Sequence, residues 1–335
     1  MTDASQGPDE FDVVGIGNAL VDVLSHEDEA FLEAHGLVKS SMTLIDTERA
    51  EALYAAMGRG IEVSGGSAAN TISGVASFGG KAAYIGRVFD DQLGTVFAHD
   101  LRATGVLFRS PPATDGPPTG RCLIVVTPDA HRTMNTYLGS SEFLGPEHVD
   151  VELIQAAQVT YLEGYLFDRP PAQEAYWKAS QAAHDAGRRV SLTLSDTFCV
   201  ERHRAAWRDL VRDQVDILFA NEHEAMALYE VDTFDEALAA CRADVEVACV
   251  TRGAAGSVVA RGDEVAEVPA HPVEHVVDTT GAGDLYAAGF LFGFTRDRSM
   301  ADCGRLGSVA ASAVLGHLGP RPGLSLAQLA DTLNL

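Results

Sequence analysis

The chain has 335 residues, 46% of them hydrophobic and 21% charged, enough apolar side chain for one large α/β domain or two modest ones, and too much for a disordered chain. Its 24 basic and 48 acidic residues leave a formal charge of −24, which argues against nucleic acid or an anionic membrane as partner. A phosphate ligand remains admissible, because local backbone dipoles bind phosphate even within an acidic protein.

Residues 1–10 read as a loose tail, polar and acidic, without the charged and apolar regions of a signal peptide. FDVVGIGNALVDV (11–23) is an apolar strand running into a glycine turn. EDEAFLEAHGL (27–37) and DTERAEALYAAM (46–57) have helical spacing. GGSAANTISGVASFG (65–79) is a glycine turn followed by a helix of small residues, and KAAYIGRV (81–88) returns as a strand. DQLGTVFAHDLRATG (91–105) is helical and ends at Gly105. The Pro- and Gly-rich stretch 110–120 then leads into two β-rich runs, 121–138, around a TPDAHR turn, which reads as a hairpin. Beyond it the rhythm is regular, with strands at 159–162, 189–194, 216–219, 246–251, 257–260 and 265–268 and helices between most of them, as at 172–186 and 222–229. Alternation of this kind predicts an α/β fold with a mostly parallel, doubly wound sheet and helices on both faces. The hairpin, with the segment around 19–64, is the best candidate for a second, smaller lobe.

Several motifs carry chemistry. GIGNAL (15–20) has a strand and G-x-G, but Leu20 stands where a dinucleotide fingerprint needs its third small residue. The polar pair Asn18 and Asp22 in apolar sequence either holds sugar hydroxyls at a strand's carboxyl end or caps the turn. In GGSAAN (65–70), Gly65 and Gly66 permit close backbone approach by a ligand, Ser67 can cap the helix, and Asn70 can reach a ligand. There is no P-loop, H-E-x-x-H, G-x-S-x-G or protein-kinase loop set. DILFANEHEAMAL (216–228) places Asn221 and Glu224 at the carboxyl edge of a sheet, where α/β proteins bind ligands, or simply caps a helix with first-turn acids.

DTTGAGDLYAAG (278–289) is the most specific stretch. Amides of Thr280 to Gly283 at a helix start, with the helix dipole, form an anion hole, and small side chains let a phosphate approach. Asp284 lies in the same first turn. A general base beside an anion hole suits phosphoryl transfer: the amides stabilise the moving group while the acid takes the attacking hydroxyl's proton.

DTTGAGD resembles the C-terminal signature of the ribokinase-like (PfkB) carbohydrate kinases, GGSAANTISGVASFGGKAAYIGRVFDDQLG resembles their N-terminal signature, and NEHE their N-x-x-E motif. The match runs from about residue 11 to 320. Within that family the chain is most similar to adenosine kinases, on GIGNALVDV, FLEAHGL, PTGRC, YLEGYLF, TLSDTF and VDILFANEHEA, and on Ser67 in place of a lysine. The resemblance implies a ribokinase-like large α/β domain (1–18, 65–116 and 140–335) and a small β-containing lid (19–64 and 117–139). It implies an ATP- and Mg²⁺-dependent kinase acting on the 5′-hydroxyl of a purine nucleoside, with a free sugar such as ribose or fructose as the alternative acceptor. Asp284 would be the base and Gly281, Ala282 and Gly283 the anion hole. Asn18, Asp22, Gly66 and Asn70 would hold the ribose, and Arg132, in the hairpin turn, would swing onto the transferring phosphate. Asn221 and Glu224 would organise Mg²⁺ through water. Thr251, Gly253, Gly256 and Thr280 would line the ATP groove, and Leu20, Met42, Cys122, Met134, Leu138, Tyr165 and Leu166 the base pocket. Met42 stands where animal adenosine kinases tend to have glutamine and Leu166 where they tend to have an aromatic ring, so stacking would come from Tyr165 or Tyr137. A monovalent cation such as K⁺ near Asp278 and a monomer or homodimer are further implications.

The five cysteines, at 122, 199, 241, 249 and 303, include no C-x-x-C pair. Neither a disulfide framework nor a zinc site is expected, and a reducing cytoplasm is the natural setting. No run of about 18 apolar residues suggests a membrane span.

Overall fold

The computed structural model describes residues 10–129, 131–317 and 319–335. The tail read at residues 1–10 lies, Glu10 apart, outside the described residues, as does Ala130 of the hairpin turn. In chain order the strands are β1 (Phe11–Ile16), β2 (Leu20–His26), β3 (Met42–Leu44), β4 (Gly60–Gly65), β5 (Ala82–Ile85), β6 (Leu107–Phe108), β7 (Gly120–Val126), β8 (Arg132–Tyr137), β9 (Ala157–Glu163), β10 (Arg189–Thr193), β11 (Ile217–Asn221), β12 (Val247–Thr251), β13 (Ser257–Arg261) and β14 (Glu264–Val268).

Among the described residues, nine strands form one sheet in the order β14-β13-β12-β11-β10-β9-β1-β5-β6, and five form a smaller sheet in the order β3-β8-β7-β2-β4. From β12 to β6 the large sheet is parallel, and β13 and β14 turn back antiparallel. Parallel strands of this kind are covered on both faces and therefore need apolar side chains on both. β1 shows how: Val13 enters the core on one side, Val14 and Ile16 the core on the other, all fully buried.

The smaller sheet draws its strands from residues 20–65 and 120–137. The hairpin is β7–β8, paired from Arg121 opposite Tyr137 to Val126 opposite Arg132. Three of its strands are less legible in the sequence. Only three residues separate β1 from β2, so one largely apolar run divides between two sheets. β3 has three residues, and β4, GIEVSG, is bounded by glycines that disguise it. β2 lies parallel to β7 and antiparallel to β4.

The carboxyl ends of the parallel strands meet along one edge. The register sets Ile16 beside Leu162, Thr193 beside Glu163, Phe219 beside Thr193, and Thr251 beside Asn221. This is where α/β sheets bind ligands. Two helices meet above it, Ser67–Ser77 and Ala282–Phe294. They cross closely, since a Cβ on Gly74 would stand 2.6 Å from the Cβ of Ala288. All five cysteines are buried and unbridged. No helix of the described residues is long and apolar enough to cross a membrane.

Candidate active site

A cavity of about 520 Å³ lies between the strand ends and the smaller sheet. Asn18, Asp22, Gly66, Ser67, Asn70, Thr280, Gly281, Gly283 and Asp284 are on its wall. So are Leu20, Met42, Cys122, Met134, Leu138 and Tyr165, and, on the opposite side, Asn221, Glu224 and Thr251. Most of the sequence-derived candidates thus converge on one space although they span 267 positions, from Asn18 to Asp284.

Six candidates are not on that wall. Gly65 lies behind Asp22, whose carboxyl a Cβ there would meet at 2.4 Å. Ala282 is the first residue of its helix. Gly253 and Gly256 belong to the turn after Thr251. Leu166 is 3% exposed and packs in the core beside Phe167 and Tyr176; an apolar residue one position from a pocket residue faces the other way. Arg132 is the first residue of β8 rather than part of the turn, and its guanidinium is bonded to the Asp278 carboxylate. Of the two tyrosines considered for stacking, Tyr165 is on the wall with its ring centroid 6.4 Å from that of Phe198, whereas the Tyr137 hydroxyl receives the Thr47 hydroxyl outside it.

The helix Ala282–Phe294 begins at Gly281, whose φ of 78° is left-handed and whose Cβ position is closed by Pro320 at 2.6 Å, so glycine is required there. The loop before it is held by Asp278. Asp278 Oδ1 accepts from the Thr280 amide (3.0 Å) and hydroxyl (2.7 Å), and Oδ2 accepts from the Gly319 amide (3.1 Å) and from Arg132. The expectation of four free amides is corrected accordingly. Thr280 donates to Asp278 and Ala282 to the Thr279 carbonyl at 3.2 Å, because the tight turn uses them internally. The Gly281 and Gly283 amides have no acceptor among the described residues.

Asp284 is half-buried in the first turn. Its Oδ1 accepts from Ser67 Oγ at 2.6 Å and its Oδ2 from Asn70 Nδ2 at 3.1 Å. Burial pushes its carboxyl up to about 6, against the pull of those two hydrogen bonds. Ser67 therefore does not cap its helix; Gly66 stands at the cap with φ 100° and Ser67 serves Asp284.

Asn18 is fixed by a residue that motif reading missed. Glu163, at the end of β9, accepts from the Asn18 amide nitrogen (3.1 Å) and Nδ2 (2.6 Å) with one oxygen and from the Ala68 amide (2.8 Å) with the other. It is 1% exposed, and burial raises its carboxyl to about 7. An acid closing an apolar strand, VTYLEG, was the signal available. Asp22 is likewise raised to about 6 by burial, with Arg321 and Arg132 lowering it and Asp284 raising it. Other wall residues without a sequence signal are Thr193, Phe198 and Ser195, the last held at φ 68° with its Oγ receiving the Gly164 amide at 2.9 Å.

At the far end, Asn221 and Glu224 form a reciprocal cap. Asn221 Oδ1 accepts from the Glu224 amide (2.8 Å), and the Glu224 carboxylate accepts from the Asn221 amide (2.9 Å) and Nδ2 (2.7 Å). Burial raises Glu224 to about 7. No cluster of three metal-ligating side chains exists among the described residues. A single buried carboxylate with one amide suits a magnesium ion that keeps most of its waters and takes other ligands from phosphates.

A family model described as pfkB family carbohydrate kinase matches residues 35–326. The crystal structure of adenosine kinase from Sinorhizobium meliloti is 52% identical with a TM-score of 0.88, covering 97% of this chain and 99% of that one. That of a probable sugar kinase from Rhizobium etli CFN 42 is 50% identical with a TM-score of 0.89, covering 97% and 98%. The curated adenosine kinase of Saccharomyces cerevisiae is 26% identical over 330 residues, 92% of this chain and 96% of that protein.

Proposed function

We propose, for a chain that belongs to the pfkB family of carbohydrate kinases, transfer of the ATP γ-phosphoryl group to the 5′-hydroxyl of a purine nucleoside, adenosine foremost, giving AMP and ADP. The observation that carries this is the adjacency of Asp284 to the acceptor-free Gly281 and Gly283 amides on a cavity also walled by the apolar Leu20, Met42, Cys122, Met134 and Leu138. The high identity with the Sinorhizobium adenosine kinase structure supports the same reading.

In this account Asn18 and Asp22 hold the ribose diol, with Glu163 fixing the Asn18 amide. The apolar wall receives the base, with Tyr165 and Phe198 as rings on the same wall. Asp284 orients the 5′-hydroxyl and takes its proton as the bond to phosphorus forms. Its raised proton affinity brings it nearer the working pH, where a base is most effective. The helix-start amides bear the charge on the transferring oxygens. Magnesium, held through water by Glu224 and Asn221, would neutralise the ATP phosphates. The smaller sheet acts as a lid, and its closure excludes water so that the hydroxyl is phosphorylated. Arg132 reaches the phosphate from there once released from Asp278. A cytoplasmic setting suits both ATP and five reduced, buried cysteines.

The second reading, a sugar kinase, is supported by the similar Rhizobium etli structure. ATP consumption measured with Mg²⁺ across nucleosides and free sugars separates the two. Turnover with adenosine is expected; turnover with ribose or fructose and with no nucleoside overturns the main reading.

A further inference from the structure

Arg321 lies outside every signature motif, in the segment that follows the helix Met300–Leu315. That segment is pinned to the anion loop: the Gly319 amide donates to Asp278 at 3.1 Å, and Pro320 closes the Cβ position of Gly281. The next side chain, Arg321, is thereby turned inward. Its Nε donates to Asn70 Oδ1 at 3.4 Å and its Nη1 pairs with Asp100 Oδ2 at 3.4 Å. Its Nη2 is buried with no partner among the described residues. The same Asp100 oxygen accepts from the amide (2.7 Å) and hydroxyl (2.6 Å) of Ser64 on β4. Arg321 thus joins the helix Ser67–Ser77, the helix Gln92–Ala103 and, through Asp100, the smaller sheet.

A guanidinium only donates, and an amide side chain has one oxygen and one NH₂. Arg321 at the Asn70 oxygen therefore decides which way round that amide stands, and leaves Nδ2 facing Asp284 at 3.1 Å. Arg321 is also the leading positive charge acting on Asp22. The other groups facing that carboxyl are Arg132 from β8, Asp284 from the helix Ala282–Phe294, and the Cys122 thiol from β7, itself pushed up to about 12 by burial; β4 presents the uncharged Val63, opposite Asp22 in the ladder, and Gly65.

We infer that Arg321 is a positioning residue of the acceptor site, fixing the Asn70 amide and setting a positive charge opposite Asp22 so that the two receive the vicinal diol of a ribose-type acceptor. This rests on the nucleoside-kinase reading for the identity of the acceptor, though not for the arrangement itself.

The test compares Arg321→Gln, Arg321→Lys and Asp100→Asn with the parent chain, by acceptor and ATP KM and by ¹³C-carboxyl NMR titration of Asp22. For Arg321→Gln we expect acceptor KM to rise about tenfold with ATP KM within about twofold. The Asp22 midpoint should move up by about one pH unit as its cation is lost. Arg321→Lys should return the midpoint close to that of the parent while recovering only part of the KM, because a lysine cannot hold Asn70 and Asp100 together as the planar fork does. An Arg321→Gln chain with parental acceptor KM and parental midpoint overturns the inference. So does an equal rise in both KM values, or a lower melting temperature with no shift in either readout. Should Arg321→Gln fail to fold, Arg321→Lys and Asp100→Asn decide by the same acceptor-against-ATP split. The titration needs no turnover, so it judges Arg321 even if the chain phosphorylates only a free sugar or none of the acceptors tried.

Discussion

Asp284→Asn separates a catalytic from a structural role for this carboxyl. Burial raises its pKa from 3.8 to about 6. At 1.36 kcal/mol per unit, holding it ionised in the empty site costs roughly 3 kcal/mol at pH 7.5. Asparagine removes that cost. Its Oδ1 can still accept from Asn70 Nδ2, as the Asp284 carboxylate does at 3.1 Å, but its NH₂ then meets Ser67 Oγ, whose proton loses its acceptor. One unsatisfied donor of that kind costs about 1–3 kcal/mol. The two effects nearly cancel, so the variant should melt within a few degrees of the parent and bind ATP normally. Its kcat should fall by about 10²- to 10⁴-fold, the range for loss of a general base. Steady-state kinetics beside calorimetric melting read both quantities. A kcat within tenfold of the parent in a folded variant would refute the base assignment, leaving Asp284 as a helix-start acid worth only about 0.3–1 kcal/mol.

Four desolvated carboxyls, the buried Asp22, Glu163 and Glu224 and the half-buried Asp284, have raised folded pKa values of about 6, 7, 7 and 6. Their contribution to stability is present below the unfolded carboxyl range and lost as pH rises through 6 to 7, so the ligand-free chain should melt higher at pH 5.5 than at pH 8. Glu163→Gln should narrow that gap by at least ~3 °C; an unchanged gap would show that Glu163 is not buried as a titrating acid. Activity should run the other way, with kcat/KM falling below about pH 6 as Asp284 takes up its proton, and a pH–rate profile flat to pH 5 would contradict this. A Cβ on Gly283 meets nothing within 4 Å and the position lies on the cavity wall. Gly283→Ala should therefore keep or slightly raise the melting temperature while lowering kcat/KM for ATP at least ~10-fold, and full activity would remove Gly283 from the anion hole. Leu166→Ala should cost about 2–5 kcal/mol of stability without moving acceptor KM, since Leu166 is core; a raised acceptor KM would return it to the pocket.

The parts of the site carried by long contiguous motifs were legible in the sequence. Asp284, Gly281 and Gly283 share one helical turn, and Asn18 sits in the only turn after an apolar first strand, so local sequence places them before any tertiary contact is known. What was not legible depends on contacts across the chain. The anion-hole amides fall from four to two because Asp278 folds back on Thr280. Ser67 turns from a cap to a partner of Asp284 because Gly74 lets two distant helices touch. Leu166 and Tyr165 differ by one position, and only the packing of the helix Pro170–Asp185 decides which of them faces the cavity. Arg321, between two prolines in LGPRPGL, carries no periodicity or spacing that could announce it. The smaller sheet was half legible: its hairpin shows as two β-rich runs around a turn, while β3 and β4 are too short or too glycine-bounded to register.

The most direct test of the central claim, that an acceptor 5′-hydroxyl meets the phosphoryl group between Asp284 and the helix-start amides, is the ³¹P spectrum of the product formed from adenosine, ATP and Mg²⁺. One new phosphomonoester resonance coupled to the two H5′ protons is the predicted result. A 2′- or 3′-phosphate, or ADP accumulating with inorganic phosphate and no phosphorylated nucleoside, would contradict it.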